Sequence, residues 1–259
     1  LKKYLMLNFS ANLWYLFQEW KMIDRFSVCA RAGFRAVEFH FPYKWPANIL
    51  AQKLAENDLK QVLINAPAGN WEGGERGIAG LPGRQSEFQE SIGLALEYAI
   101  ALDCPNLHVM AGLNGDRDVF AENISYAAEI CSFKKIRVLI EPLNLTDVPG
   151  YLIANTQDAL AVLKIVNHKN LLLQYDIYHG ILNKDDVLLT IQDNLSVIGH
   201  IQVAGVPGRH EPDSKAGFDF KSLFYSIEKM DYMGWIGCEY TPRAGTVNGL
   251  NWAKDFGIT

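Results

Sequence analysis

Four short apolar runs in this chain each carry an oxygen-bearing side chain near their C-terminal end. These are Glu141 in RVLIEPLN (Arg137–Asn144), Asp176 in LLLQYDIYH (Leu171–His179), Gln202 in IGHIQVAG (Ile198–Gly205) and Glu239 in WIGCEYTP (Trp235–Pro242). Runs of that length, rich in branched residues, are buried strands. A lone ionised carboxylate at the end of one costs several kcal/mol of desolvation, so it is either neutral or paired with a cation. Taken singly, each carboxylate reads equally well as a helix cap or an arginine partner. Four such ends in succession read as one ion-binding site. Two glutamates, an aspartate and a glutamine form an all-oxygen donor set, which suits Mg2+ or Mn2+ better than zinc.

A divalent metal beside two glutamates offers a specific reaction. It holds the carbonyl and hydroxyl oxygens of an α-hydroxycarbonyl compound and steadies the enediolate formed when a proton leaves carbon. Glu141 and Glu239 then move that proton, one as base and one as acid. No organic cofactor is required. Candidate substrate contacts stand around the pair. His179, three residues after Asp176, reads as a loop histidine within reach of a substrate oxygen, or as incidental. Arg209, in VPGRHEP, reads as a two-pronged clamp on a substrate carboxylate or as a surface partner of Glu211. His210 shares that loop. Arg76, in the glycine-rich WEGGERG, sits in a segment long enough to be a lid. Asn12 and Asn65 end strands and can donate to substrate oxygens. Glu38 and His40 alternate in AVEFHFP, and one of them is expected to face the interior. His108 and His168 are read as structural. Trp14, Phe17, Trp45 and Trp71 either wall a pocket or fill its rim.

The elements that must position these residues alternate along the whole chain. Strands are expected at Asn8–Leu13, Ala36–Pro42, Gln61–Pro67 and Asn106–Gly112, followed by the four runs above. Helices are expected at Glu19–Ala32, Ala47–Asn57, Ser86–Leu102, Arg117–Phe133, Thr156–Val166, Lys184–Asp193, Phe220–Lys229 and Val247–Lys254. Strict alternation implies a parallel sheet, and eight units in 259 residues imply a (β/α)8 TIM barrel forming a single domain over residues 1–259. An open doubly wound sheet would show a phosphate-binding glycine pattern in its first turn, and NLWYLF has none. Chemistry in such a barrel gathers at the C-terminal ends of the strands, where all four polar ends fall.

Net charge is −5 and the pI is near 5.7, so there is no basic footprint for nucleic acid or an anionic membrane. No apolar run approaches the roughly 18 residues of a membrane helix, and the LKKYLMLN start is not read as a signal peptide. Four cysteines without CxxC spacing read as reduced thiols of a cytoplasmic protein. The expected partner is a small hydroxy-keto acid, and self-association into a homo-oligomer is left open. Two other classes compete. A metal nuclease on the same barrel is disfavoured by the charge and by a shortage of histidines near strand ends. A non-catalytic binding module is disfavoured by the intact carboxylate set.

Taken together, FSANLWYLF, FRAVEFHFPYKWPA, NWEGGERGIAGLPGR, LHVMAG, VLIEPLN, QYDIYH, GHIQVAGVPGRHEPD and GWIGCEY resemble the hydroxypyruvate isomerase family, within the xylose isomerase-like barrel superfamily. The resemblance runs end to end. It implies a single (β/α)8 barrel, Glu141 and Glu239 as proton donor and acceptor, and a divalent metal held by Glu141, Asp176, Gln202 and Glu239. It implies substrate contacts at His179 and Arg209, and interconversion of hydroxypyruvate with 2-hydroxy-3-oxopropanoate (tartronate semialdehyde). Close relatives act on 2-oxo-tetronates, and the related sugar epimerases usually have histidine where Gln202 stands. Two departures bear on substrate choice: Thr241 replaces a common lysine, and SKAGFDF replaces a segment resembling GEINY.

Overall fold

The computed structural model of the chain describes residues 7–258, so the reading of the LKKYLM start lies outside the described residues. Eight parallel strands close into a barrel in chain order. They are β1 (Asn8–Asn12), β2 (Ala36–Phe39), β3 (Lys60–Asn65), β4 (Asn106–His108), β5 (Arg137–Ile140), β6 (Leu171–Asp176), β7 (Ile198–Val203) and β8 (Trp235–Cys238). Between and after them lie α1 (Met22–Arg31), α2 (Ala47–Glu56), α3 (Gln85–Ala101), α4 (Arg117–Ser132), α5 (Thr156–Val166), α6 (Ile177–Leu182), α7 (Val187–Asn194), α8 (Phe220–Lys229) and α9 (Thr246–Gly249). A 3-10 turn, Leu250–Phe256, follows α9. Polar residues set several helix starts. The side chains of Asp116, Asn155, Asp186 and Asp219 accept hydrogen bonds from the first turns of α4, α5, α7 and α8, each worth about 1 kcal/mol.

The alternation expected from sequence is present, with three differences. Strands stop earlier than their apolar runs. β5 ends at Ile140 and β8 at Cys238, so Glu141 and Glu239 stand one residue beyond the ladder rather than at its last position. Pro142, lacking an N–H, cannot extend β5. Second, α1 begins at Met22 rather than Glu19, and the last expected helix divides into α9 and the 3-10 turn. Third, QYDIYH runs into α6, so His179 is helical rather than in a loop. Gly180 lies within that helix. A Cβ there would lie 2.3 Å from the Tyr175 hydroxyl, so a close approach, not a break, explains the glycine.

Strand alternation divides the molecule into two layers. Phe9 on β1 faces out and packs against Phe224, Trp252 and Phe256 at ring distances of 5.2, 5.3 and 4.8 Å. Its neighbours Ser10 and Asn12 reach Glu38 inside the barrel. Barrel interiors are ordinarily filled with Val, Ile and Leu. Here Ser10, Asn12, Glu38, Asn65, His108, Gln174, His200 and Gln202 are all buried within it, none more than 3 % exposed. Such a polar layer is stable only where its groups find partners.

Candidate active site

Glu141, Asp176 and Glu239 meet at the mouth of the barrel, each at most 5 % exposed. Arg209, from the loop after β7, closes over them. It adopts φ +54° directly after Gly208 at φ +90°, a left-handed turn that sends its side chain back over the barrel. Its Nη2 donates to Asp176 Oδ2 at 3.0 Å and to Glu239 Oε2, and its Nε donates to the Glu239 carbonyl at 3.2 Å. Its guanidinium carbon lies 5.2 Å from the Tyr15 ring and 4.8 Å from the Tyr178 ring. The surface reading of Arg209 is therefore wrong. Glu211 pairs instead with Arg243, at 3.0 Å.

The two glutamates sit in opposite electrostatic surroundings. Burial pushes Glu239 up, but the Arg209 charge and a 2.6 Å bond to His40 Nε2 outweigh it and hold the carboxyl down at about 2. Asn12 Nδ2 also donates to Glu239 Oε1, at 3.1 Å. Burial raises Glu141 well above the carboxylate range, and the neighbouring Glu239 and Asp176 charges add to this. Glu141 Oε2 accepts from Gln174 Nε2 at 2.9 Å, while its Oε1 has no partner. Burial raises Asp176 to about 7 despite Arg209. Carboxyls whose proton affinities are driven apart in this way can serve as acid and base at one pH.

The side chain of His179 has a defined orientation. Its Nδ1 accepts from the Asn144 backbone N–H at 3.2 Å, with the Asn144 amide nitrogen 2.6 Å away. Burial, then the Arg209 charge, lowers its pKa to about 3, so the ring is neutral. With Nδ1 accepting, Nε2 carries the hydrogen. Nε2 lies 3.7 Å from Asp176 Oδ2 and 3.5 Å from Arg209 Nη1.

The surroundings fit a hard cation. Ligand atoms of Glu141, Asp176 and His179 lie within 4.8 Å of one another. Glu141 Oε1 is buried and unpartnered, and Asp176 and Glu239 converge on a positive charge that Arg209 supplies. The carboxylates are the oxygen donors that such an ion prefers. Gln202 lies one tier lower. Its Oε1 accepts from Gln174 Nε2 at 2.7 Å and its Nε2 donates to Glu38 Oε1 at 2.8 Å.

The contacts found for the other expected site residues are with different partners. Asn65 is buried at the end of β3, where its carbonyl accepts from the Tyr43 hydroxyl at 2.6 Å. Arg76 stays within its own loop, donating to the Trp71 and Glu75 carbonyls, with its guanidinium 4.0 Å over the Trp71 ring. His210 is tied to the Thr241 carbonyl at 2.8 Å. Trp14 stacks on His40 at 5.4 Å, and Trp71 meets His40 edge-on at 6.4 Å, so both wall the mouth. Phe17 is core, and the Trp45 carbonyl accepts from Tyr98.

Sequence reasoning missed several residues. Glu38 and His40 both matter: Glu38 lies inside the barrel and His40 binds Glu239 from just beyond β2. Strict alternation would place them on one face, which was the available signal. The register shift between Val37 and Glu38 obscured where that face lay. His108, read as structural, has its Nε2 3.6 Å from Glu141 Oε2 and neither nitrogen bonded. His168 does pair on the surface, with Glu129 at 3.2 Å. Four of the six histidines, His40, His108, His179 and His200, thus lie in or at the barrel, against the expected shortage.

Residues 26–256 match the family model described as xylose isomerase-like TIM barrel. The chain is 45 % identical to a 2-oxo-tetronate isomerase of Cupriavidus necator, over 97 % of this chain and 99 % of that one. It is 41 % identical to the hydroxypyruvate isomerase of Escherichia coli, over 97 % and 100 %. A crystal structure from Brucella melitensis, described as an AP endonuclease of family 2, superposes with a TM-score of 0.95 at 41 % identity, covering 97 % of this chain and 100 % of that one. With the family's barrel, its length and these isomerase relatives all in agreement, the chain is an isomerase of the xylose isomerase-like TIM barrel family.

Proposed function

We propose that the protein is a metal-dependent aldose–ketose isomerase that interconverts hydroxypyruvate and 2-hydroxy-3-oxopropanoate, moving a proton between adjacent carbons with Glu141 and Glu239. The observation that carries this reading is the pair itself: two buried glutamates at the mouth of one barrel, Glu239 gripped by Arg209 and His40, and Glu141 with its Oε1 unpartnered among the described residues. In the forward direction C3 of hydroxypyruvate loses a proton, C2 gains one, and the hydroxyl proton moves from O3 to O2. Glu239, ionised, takes the carbon-bound proton. Glu141 returns one to the neighbouring carbon. His179 Nε2–H donates to a substrate oxygen. Arg209 exchanges its grip on Asp176 and Glu239 for the substrate carboxylate, which its planar fork matches. Trp14 and Trp71 exclude water from the mouth. A divalent cation, Mg2+ or Mn2+, held by Glu141, Asp176 and Glu239 with Gln202 beneath, would supply electrostatic stabilisation of the charge that develops on the substrate oxygens.

The name of the Cupriavidus relative supports a second reading, a four-carbon 2-oxo-tetronate substrate at the same site. The description of the Brucella structure would support a nuclease, but a net charge of −5 opposes polyanion binding. Comparison of kcat/KM for hydroxypyruvate and for 2-oxo-tetronate, with Mn2+ present, tests the proposal. Turnover of hydroxypyruvate at least tenfold more efficient supports the first reading, and the reverse preference supports the second. No turnover of either, together with metal-dependent cleavage of abasic DNA, would reject both.

A further inference from the structure

We infer that Glu38 is the positioning residue that ties the two proton-transfer glutamates together from beneath. This rests on the proposed function for its consequence, but not for its geometry. Glu38 is wholly buried on β2, below the site, and touches none of Glu141, Asp176 or Glu239 in the contacts found among the described residues. Its carboxylate accepts four hydrogen bonds: Ser10 Oγ at 2.9 Å, Asn12 Nδ2 at 3.1 Å, His200 Nε2 at 2.7 Å and Gln202 Nε2 at 2.8 Å. That is the full complement of an ionised carboxylate, so Glu38 has no lone pair left for a metal or a substrate.

From Glu38 the bonds run both ways. Asn12 Nδ2 also donates to Glu239 Oε1, at 3.1 Å. Gln202 Oε1 accepts from Gln174 Nε2, which also donates to Glu141 Oε2 at 2.9 Å. A continuous chain therefore runs Glu141–Gln174–Gln202–Glu38–Asn12–Glu239. An amide has one donor end and one acceptor end, and Glu38 can only accept. It thus fixes which way both neighbouring amides face: Gln202 turns its nitrogen down and its oxygen away, and Asn12 presents its nitrogen to Glu239. The fold reserves room for this group. A Cβ on Gly237 would lie 2.3 Å from Glu38 Oε1, so β8 carries glycine there.

Glu38→Gln keeps the shape but places a donor where four donors already converge, so at least one amide must turn over. The variant should lose kcat by at least 100-fold with KM within threefold, bind Mn2+ at least tenfold more weakly by calorimetry, and keep its melting temperature within a few degrees. Glu38→Asp, which retains an acceptor-only group, should recover part of the kcat. A folded Glu38→Gln protein with kcat and Mn2+ affinity within threefold of wild type would overturn the assignment. A neutron structure of the wild-type protein provides a test that does not depend on any variant folding. It should show Gln202 Nε2 carrying its deuterons toward Glu38, and the opposite amide orientation would overturn the assignment. Calorimetry and the neutron map remain decisive even if neither proposed substrate is turned over, so failure of the function reading is distinguishable from failure of this one.

Discussion

Glu141 and Glu239 are chemically identical and behave differently because of what stands beside each. Arg209 and His40 surround one, while the other accepts from the Gln174 amide and lies 3.6 Å from His108 Nε2. Removing the cation tests this. Arg209→Met should leave Asp176 and Glu239 as an uncompensated buried pair, costing about 3–5 kcal/mol by urea denaturation in EDTA. A cost under about 1 kcal/mol would mean the ion pair is not structural. Asp176 gives a pH test. A carboxyl raised from 3.8 to about 7 stabilises the fold below its unfolded value, and that contribution is lost as pH rises through about 7. His108 and His179, both held down at about 3, oppose it, losing stability as pH falls below their ordinary 6.5. Asp176→Asn isolates the first contribution. In metal-free protein, wild-type stability relative to the variant should fall steadily between about pH 4 and pH 7. A constant difference would contradict the raised pKa. At this scale the sequence revealed the carboxylates, because apolar runs ending in acids are rare. It could not reveal the partners of His40 and Gln174, which lie 199 and 33 residues away.

Among the elements, β2 and β8 are fitted to each other through Glu38 and Gly237. Gly237→Ala should force the carboxylate aside and cost about 1–3 kcal/mol, as overpacking of a filled interior does. Denaturant titration reads it, and an unchanged midpoint would show that the tier can relax. The glycine-rich segment before α3 is more firmly held than a free lid would be. Gly80 N–H donates to the Ala111 carbonyl at 2.7 Å, Asn123 Nδ2 to the Ala79 carbonyl at 2.7 Å, and Arg84 pairs with Glu75. Arg76 belongs to that fixed structure, with its guanidinium over the Trp71 ring at the mouth. Eight strand–helix units were legible from period and punctuation. The strand ends were not, since the same apolar residues continue past the last ladder bond into the loops that bear the chemistry.

For the molecule as a whole, closure of the barrel brings the acids of three separate strand ends into one mouth. No helix among the described residues is long and apolar enough to cross a membrane. Arg209 offsets part of the repulsion among the gathered carboxylates, and the proposed divalent ion would offset the rest. Exhaustive EDTA treatment should therefore abolish isomerase turnover, and Mn2+ should restore it and raise the melting temperature by mass action. Activity unaffected by chelation would remove the metal from the account. The two-glutamate proton transfer is tested most directly by kcat of Glu141→Gln and Glu239→Gln on hydroxypyruvate or 2-oxo-tetronate, each beside a melting curve. Each variant should stay folded and lose at least about 1000-fold in kcat, since a proton-transfer group contributes on the order of 100- to 10,000-fold. Folded variants that both turn over within a few-fold of wild type would contradict it.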